Sequence, residues 1–163
     1  MMFAVQFVLA LCYANLGEWL MHKFILHGLG KRQNSFWAYH WHGHHATCAE
    51  HAMYDPGYAK IRLNAWNAQT KELAVLAGIA ALHAPLLAIW PGFPCGLYFS
   101  LLIYYTRHRK AHLDPAWGRR HLSWHYDHHT LNKPGNWCVT WPGCDYLFGT
   151  RLSAQKPNDA DRI

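Results

Sequence analysis

The stretch that decides the fold is residues 73–106, LAVLAGIAALHAPLLAIWPGFPCGLYFSLLIYYT, which contain no Asp, Glu, Lys or Arg. The first part, residues 73–90, is long enough to cross a bilayer core of about 30 Å as a helix, with Pro85 as a kink. The segment 90–96 is rich in Pro and Gly and predicts a turn. A returning helix is then expected over residues 95–112, because no proline lies in that range.

A further apolar stretch lies near the start of the chain, where Glu18 is the only charged residue between Met1 and Met21. We expect residues 2–21 to be a retained span, because the stretch lacks the basic leading segment and the cleavage site of a secretory signal. With three spans, residues 22–72 and 107–163 lie on one side of the membrane and hold all 15 Lys and Arg. The positive-inside rule makes that side cytoplasmic. The alternative is a soluble α-helical protein with two buried apolar helices.

The composition predicts a single domain over residues 1–163 and excludes several classes of protein. Charged and aromatic residues each make up 15%, which excludes a disordered, collagen-like or coiled-coil chain. The five cysteines form no Cys-x-x-Cys pair, so neither a disulfide framework nor a thiolate zinc module is expected. The net charge of +6 permits nucleic-acid binding. However, the basic run Arg107–Lys110 lies beside a span, where phospholipid head groups are the expected contact, so no nucleic-acid partner is predicted.

Histidine is unusually abundant, with 14 residues, of which all but His51 and His83 form four clusters beside the predicted spans or in the polar segments. His42, His51, His83 and His121 are expected to be surface or capping residues. His40 and His42 compete for one ligand position, and the helical spacing of four residues to His44 favours His40. The remaining histidines have spacings typical of metal ligands: His22, His27, His40, His44, His45, His108, His112, His125, His128 and His129.

The spacing of these ten histidines predicts two metal ions, since a catalytic zinc takes only about three protein ligands. Imidazole suits zinc, iron, copper or nickel. The spacing of five between His22 and His27 separates their side chains, which suits two ions. Adjacent histidines diverge by about 100° on a helix and are expected to serve different ions: His44/His45 and His128/His129. Histidines four residues apart share a helix face and are expected to serve one site: His40/His44, His108/His112 and His125/His129.

The four motifs, His-x4-His, His-x3-His-His, His-x3-His and His-x2-His-His, resemble those of the fatty acid hydroxylase/sterol desaturase superfamily. The resemblance runs from Glu18 to about Arg151. It includes Glu18-Trp-x-x-His-Lys-Phe-x-x-His27 at the start and Asp145-x-Leu-Phe-Gly-Thr150 near the end. The string over residues 22–30 is also similar to short bacterial carotenoid hydroxylases. Those usually carry four residues inside the third pair and lack the closing tail.

This resemblance implies an all-α integral-membrane protein with about three transmembrane helices and a cytosolic, histidine-rich cap that holds a di-metal site. The ten histidines would bind two iron ions, with zinc possible after purification, and no catalytic residue is indicated beyond these ligands. The implied activity is O2-dependent hydroxylation of an alkyl C–H bond in a membrane lipid of fatty acyl, sphingolipid or sterol type. A desaturase or a carotenoid ring hydroxylase would use the same centre. A membrane metal-binding or transport protein is a more distant alternative.

The implied chemistry needs an electron donor, and we expect a separate protein of the cytochrome b5, ferredoxin or reductase type, since residues 1–163 contain no such module. The basic runs Arg107–Lys110 and Arg119–Arg120 would dock an acidic donor or contact lipid head groups. The expected location is a cell inner membrane or an ER-type membrane. The sequence does not indicate the lipid, the oxidised carbon, a role for His121 or the oligomeric state.

Each ligating histidine also needs an acceptor for its second ring nitrogen. Glu18, Asp127 and Asp145 are candidates for this role, with buried structural pairing as the alternative. Because the ligands must be neutral, metal occupancy should fall as the pH falls.

Overall fold

The computed structural model describes residues 1–62, 64–131 and 133–154, and within these ranges the chain forms helices and loops and no strand. The prediction of an all-α fold is confirmed. Two segments, Met21–Leu26 and Tyr39–His45, are π-helical, and short 3₁₀ turns occur at Leu29–Lys31, Pro56–Tyr58 and Ala84–Ala88. The α-helices are α1 (Met2–Leu20), α2 (Ala46–Glu50), α3 (Ala68–His83), α4 (Gly92–Leu113), α5 (Pro115–His121), α6 (Ser123–Thr130) and α7 (Gly143–Leu147).

Helices α1 and α4 pack closely because small residues line their contact. Ala10 of α1 is fully buried against Leu97 of α4. A Cβ atom on Gly96 would lie 2.6 Å from the carbonyl oxygen of Phe7, and one on Gly92 would also collide with the α1 backbone. Small residues at such spacing let helix backbones approach one another where no hydrophobic effect drives association.

Helix α3 begins and ends at residues that the sequence explains. Asn67 caps it, accepting a 2.9 Å hydrogen bond from the Thr70 backbone N–H, while the Thr70 hydroxyl accepts one from Asn67 N–H. The α-helix ends at His83 because Pro85 lacks the N–H that would continue it, and a 3₁₀ turn follows. The predicted kink at Pro85 is therefore the end of the α-helix.

Two helical stretches of the described chain, Met2–Lys31 and Ala68–Ala88, are long and apolar enough to cross a membrane. Only 22% and 6% of their most apolar windows are buried inside the protein. A core helix of a soluble protein would be mostly buried, so these apolar surfaces suit contact with lipid. The predicted returning helix is present as α4, which continues without a break to Leu113. A third crossing by α4 and a cytosolic position for the cap stay predictions.

The polar segments fold against the ends of these long helices. Asp114 ends α4 and caps α5, accepting a 2.9 Å hydrogen bond from the Trp117 backbone N–H. Helices α4, α5 and α6 therefore follow each other in tight succession. Met53, Ala111 and Leu122, each fully buried, form the small core between them. This arrangement places the histidines of α4 and α6 side by side.

Candidate metal centre

The structure brings all ten predicted ligands together in two adjacent groups. The first group has five histidines whose ligand atoms lie within 4.8 Å of one another: His22, His27, His40, His45 and His128. The Nε2 atom of His128 lies 3.1 Å from that of His27 and 3.1 Å from that of His45. Five imidazoles thus converge on one small volume.

The second group contains the other five histidines, in two overlapping sets that share His112 and His129. The Nε2 atom of His112 lies 3.2 Å from that of His108 and 3.0 Å from that of His125. The two groups are neighbours, because the rings of His45 and His129 stack with their centroids 4.2 Å apart. The sets are His44, Cys48, His112 and His129, and His108, His112, His125 and His129.

The two π-helical segments explain the membership of the first group. In a π-helix the backbone hydrogen bond joins residues five apart, and His27 N–H donates such a bond of 2.9 Å to the His22 carbonyl oxygen. His22 and His27 therefore share one side, and so do His40 and His45. The prediction that His22 and His27 serve different ions assumed α-helical geometry and is wrong. The π-helix likewise separates His40 from His44, which lies in the second group.

Where the backbone is α-helical, histidines four residues apart lie in the same group, as their spacing predicts. His108 and His112 on α4 lie together in the second group, as do His125 and His129 on α6. Adjacent histidines are divided between the two groups in both predicted cases: His44/His45 and His128/His129.

The histidines predicted to be surface or capping residues lie outside both groups. His40 is buried in the first group, whereas His42 is exposed and its Nε2 lies 2.9 Å from the Lys31 carbonyl oxygen. His51 and His121 are also exposed, and His83 lies at the end of α3. The structure therefore places His40 rather than His42 beside the other candidate ligands.

Backbone carbonyls fix the orientation of three rings. A carbonyl oxygen only accepts hydrogen bonds, so each Nδ1 facing one carries the proton and each Nε2 presents a lone pair. Lone pairs that converge at about 3 Å repel unless a cation lies among them, and this chemistry fits bound metal ions. The three contacts are His22 Nδ1 to Trp137 O at 2.6 Å, His112 Nδ1 to Met53 O at 2.9 Å, and His128 Nδ1 to Gly135 O at 2.8 Å.

Buried ring nitrogens without partners support the same fit. Among the described residues, His44 Nε2, His125 Nδ1 and both ring nitrogens of His129 are buried and make no hydrogen bond. Buried polar atoms are otherwise almost always paired, so a partnerless set beside other imidazoles points to a bound species.

Two carboxylates orient rings of the second group, and the sequence analysis did not identify either. Asp55 Oδ2 lies 2.9 Å from His44 Nδ1, and Glu72 Oε1 lies 2.7 Å from His108 Nδ1. The Tyr58 hydroxyl donates a 2.6 Å hydrogen bond to the other oxygen of Glu72. The only sequence signal was position, because Asp55 begins an Asp-Pro-Gly turn and Glu72 is the last charged residue before the apolar stretch.

The three carboxylates that were predicted as outer acceptors have other partners. Glu18 accepts hydrogen bonds from Val139 N–H and from the backbone and side chain of Thr140, at 2.7–3.0 Å. Asp145 accepts from Trp137 N–H at 2.8 Å and from Cys138 N–H, and Asp127 pairs with Arg151. Structural pairing is therefore the correct alternative. Glu18 and Asp145 act on the centre indirectly, since they hold the segment whose carbonyls orient His22 and His128.

Burial favours the neutral form of several imidazoles in the two groups. It lowers the pKa of His128 to about 4, although the hydrogen bond to Gly135 opposes this shift. Burial also lowers the pKa values of His40, His125 and His129 well below their usual range, and neighbouring imidazoles add to the effect. A neutral imidazole is the form that binds a metal ion.

An apolar cavity of about 240 Å³ lies between α1, α3 and α4 and reaches His22 of the first group. Its aliphatic walls come from α3 and α4, and His22 and Glu72 line its inner end. A separate and more polar groove reaches His45, His128 and His129. The centre therefore has one apolar approach and one polar approach.

The fatty acid hydroxylase family model matches residues 7–150, which is most of the chain. No curated protein and no solved structure matches the chain. The matched region contains both histidine groups, Asp55 and Glu72.

Proposed function

The chain belongs to the fatty acid hydroxylase family, and from this premise we propose that it hydroxylates an alkyl C–H bond of a membrane lipid with O2 at two histidine-bound iron ions. Family membership and the histidine groups already make it an oxidoreductase with a candidate metal site. The observation that carries the proposal is that an apolar cavity ends at one of the two histidine groups.

The ten histidines would divide equally between two ions. One ion would be held by the first group, and the other by the histidines of the second group, with Asp55 and Glu72 fixing two of their rings. Iron is proposed because zinc has no redox chemistry and imidazole accommodates either metal. When bound, the iron pair would supply reductive activation of O2 and oxidation of the C–H bond. The balanced reaction is RH + O2 + 2 e⁻ + 2 H⁺ → ROH + H2O.

The residues of the chain position the lipid substrate and disfavour water in the cavity. Val75, Leu76 and Leu101 offer only aliphatic contacts along the cavity, so an alkyl chain can enter and water gains nothing there. A lipid tail is already dissolved in the bilayer, and a cavity between membrane-facing helices lets it reach His22 without crossing water. The more polar groove leaves a separate route for protons and electrons.

The proposal also covers the location of the protein and the source of its electrons. We propose an integral-membrane location with the histidine groups on the cytoplasmic side, in accordance with the distribution of Lys and Arg. The two electrons would come from a separate donor of the cytochrome b5, ferredoxin or reductase type.

The test compares lipids from cells that express the wild type or the His128→Ala variant under ¹⁸O2. We expect a lipid species that gains one ¹⁸O atom only with the wild type. The matched control is His42→Ala, which removes an exposed histidine outside both groups and should leave the product unchanged. A lipid that loses two hydrogens without gaining oxygen would instead identify a desaturase. If neither product forms, the oxygenase proposal is wrong.

Metal analysis of the anaerobically purified protein provides an independent test. We expect about two irons per chain, and fewer in the His128→Ala variant. Fewer than about 1.5 irons in the wild type, with no activity after ferrous iron is added, would contradict the di-iron assignment.

A further inference from the structure

The outer end of the apolar cavity carries a hydrogen-bonded pair of polar side chains. The Tyr13 hydroxyl of α1 lies 3.2 Å from Nε2 of His83 of α3, and both residues line the cavity. Phe93 holds the pair in place, with ring centroids 5.3 Å from Tyr13 and 6.4 Å from His83. Polar groups inside membrane-spanning segments are costly and are retained mostly where they serve a function. The sequence predicts only a surface or capping role for His83.

The direction of the hydrogen bond follows from the backbone. His83 Nδ1 lies 2.8 Å from the Ile79 carbonyl oxygen, which can only accept, so Nδ1 carries the ring proton. Nε2 is then an acceptor, and the Tyr13 hydroxyl must donate to it. This leaves the lone pairs of the Tyr13 oxygen free, so the pair can accept a hydrogen bond from a ligand but has no hydrogen left to donate.

The distance between the two ends of the cavity sets the length of the ligand. Tyr13 and His22 lie nine positions apart on the same continuous helix, which corresponds to about 13 Å. An extended chain advances about 3.5 Å for every three bonds, so this distance takes roughly a dozen bonds. The lining between the ends is mostly apolar, with walls from Ile79 and Leu97, and Glu18 is among its few polar residues.

We propose that the Tyr13–His83 pair binds a hydroxyl group of the substrate, roughly a dozen bonds from the carbon presented to the metal centre. The preferred ligand is thus an alkyl chain with a hydroxyl group at its far end, rather than a plain hydrocarbon or an ether. This inference rests on the proposed function only in treating the cavity as the substrate site.

The alternative is that the pair only ties α1 to α3, since hydrogen bonds between membrane helices commonly do so. The two roles differ in one measurable respect. If the pair were only a structural tie, the polar group of a bound chain would not affect its binding. The proposed site instead binds a chain that carries a hydrogen-bond donor more tightly than one that carries only an acceptor.

The experiment is a binding competition in the purified full-length protein, in micelles of a hydroxyl-free amine-oxide detergent. Equal amounts of 1-dodecanol and dodecyl methyl ether are added, and native mass spectrometry measures the ratio of the two bound probes. We expect the wild type to prefer the alcohol by about fivefold, the magnitude of one net hydrogen bond. The double variant Tyr13→Phe/His83→Leu, which removes both the acceptor oxygen and the acceptor nitrogen, should bind the two probes equally.

Two further variants make the result specific. Tyr98→Phe is the matched control, because it removes another tyrosine hydroxyl between α4 and α3, bonded to the Ala80 carbonyl at 3.0 Å and outside the cavity lining. It should keep the wild-type ratio. His83→Leu frees the Tyr13 hydroxyl hydrogen to donate to a ligand. The ratio of bound ether to bound alcohol should therefore rise.

A wild-type ratio near one, an absence of bound alcohol, or an equal loss in Tyr98→Phe would overturn the proposal. Binding of these probes requires no metal and no turnover. Failure of this test therefore leaves the proposed oxygenase activity standing, and failure of that activity leaves this test interpretable.

Discussion

The two histidine groups have the same number of imidazoles but are built differently. In the first group, π-helical segments bring together histidines five residues apart, and backbone carbonyls of residues 135 and 137 orient two of the rings. In the second group, α4 and α6 present pairs four residues apart, and Asp55 and Glu72 face two of the rings. One group thus relies on neutral partners, while the other has carboxylates.

This difference has a chemical consequence. A carboxylate behind an imidazole strengthens the ring as a metal ligand more than a neutral carbonyl does. The second group should therefore bind its ion more tightly, and the first group should exchange its ion more readily. The first group also lines the inner end of the apolar cavity through His22, so the more labile ion would lie nearer the substrate.

The largest effect is expected from His112→Ala, which removes a fully buried imidazole shared by both sets of the second group. We expect loss of about one of two metal ions and product formation below about one hundredth of the wild type. Elemental analysis and lipid profiling measure the two effects. The control is His51→Ala, an exposed histidine outside both groups, which should change neither. Retention of two ions by His112→Ala would contradict the assignment of the second group.

A smaller loss is expected from Asp55→Asn, which leaves the ligands in place but removes the charge behind His44. Loss of an outer partner of this kind costs about 10- to 100-fold in metal affinity. Titration with a competing chelator should show one weakened ion and one unchanged ion.

The control for this titration is Asp114→Asn, which alters a carboxylate that caps α5 and belongs to neither histidine group. Equal weakening of both ions in Asp55→Asn would remove the distinction between the two groups.

The long helices and the α-helical histidine pairs are the features that the sequence could predict. Apolar stretches with one charged residue or none predicted the long helices, because ionised side chains are costly in lipid. Spacing predicted the pairs His108/His112 and His125/His129, because α-helical periodicity is regular. It failed for His22/His27 and His40/His44, since nothing in those residues distinguishes a π-helix from an α-helix.

The orienting carboxylates were also beyond the sequence. Asp55 approaches His44, and Glu72 approaches His108, through tertiary packing that no local pattern reports. The sequence offered Glu18, Asp127 and Asp145 as outer acceptors, with structural pairing as the alternative. The structure shows instead that Glu18 holds the backbone of residues 139 and 140.

Acid should destabilise the metal-free protein through the buried histidines of both groups, and His128 gives the clearest case. Burial lowers the pKa of His128 from its ordinary 6.5 to about 4, so below pH 6.5 the unfolded chain binds a proton that the folded chain does not. The contribution of His128 to stability is therefore constant above this range and falls as the pH drops from 6.5 to about 4, by roughly 3 kcal/mol. Denaturant unfolding at a series of pH values measures the loss.

A pair of substitutions tests whether the carboxylate matters to this titration. The hydrogen bond to Asp55 opposes the effect of burial on the pKa of His44, whereas His128 has only a carbonyl partner. His128→Phe should therefore remove more of the acid-induced loss than His44→Phe. A larger effect from His44→Phe would reverse the comparison.

The smallest effect is expected from Thr140→Val, which removes the 2.7 Å hydrogen bond from the Thr140 hydroxyl to Glu18 and nothing from the second group. The unfolding free energy should fall by about 1 kcal/mol, the usual net contribution of one hydrogen bond. Because Glu18 holds the segment whose carbonyl orients His22, the first ion should dissociate slightly faster and the second at its wild-type rate. Chelator-driven release followed over time measures both phases. If the slower phase alone responds, the tail supports the second group, and the carbonyl-oriented first group is not the labile one.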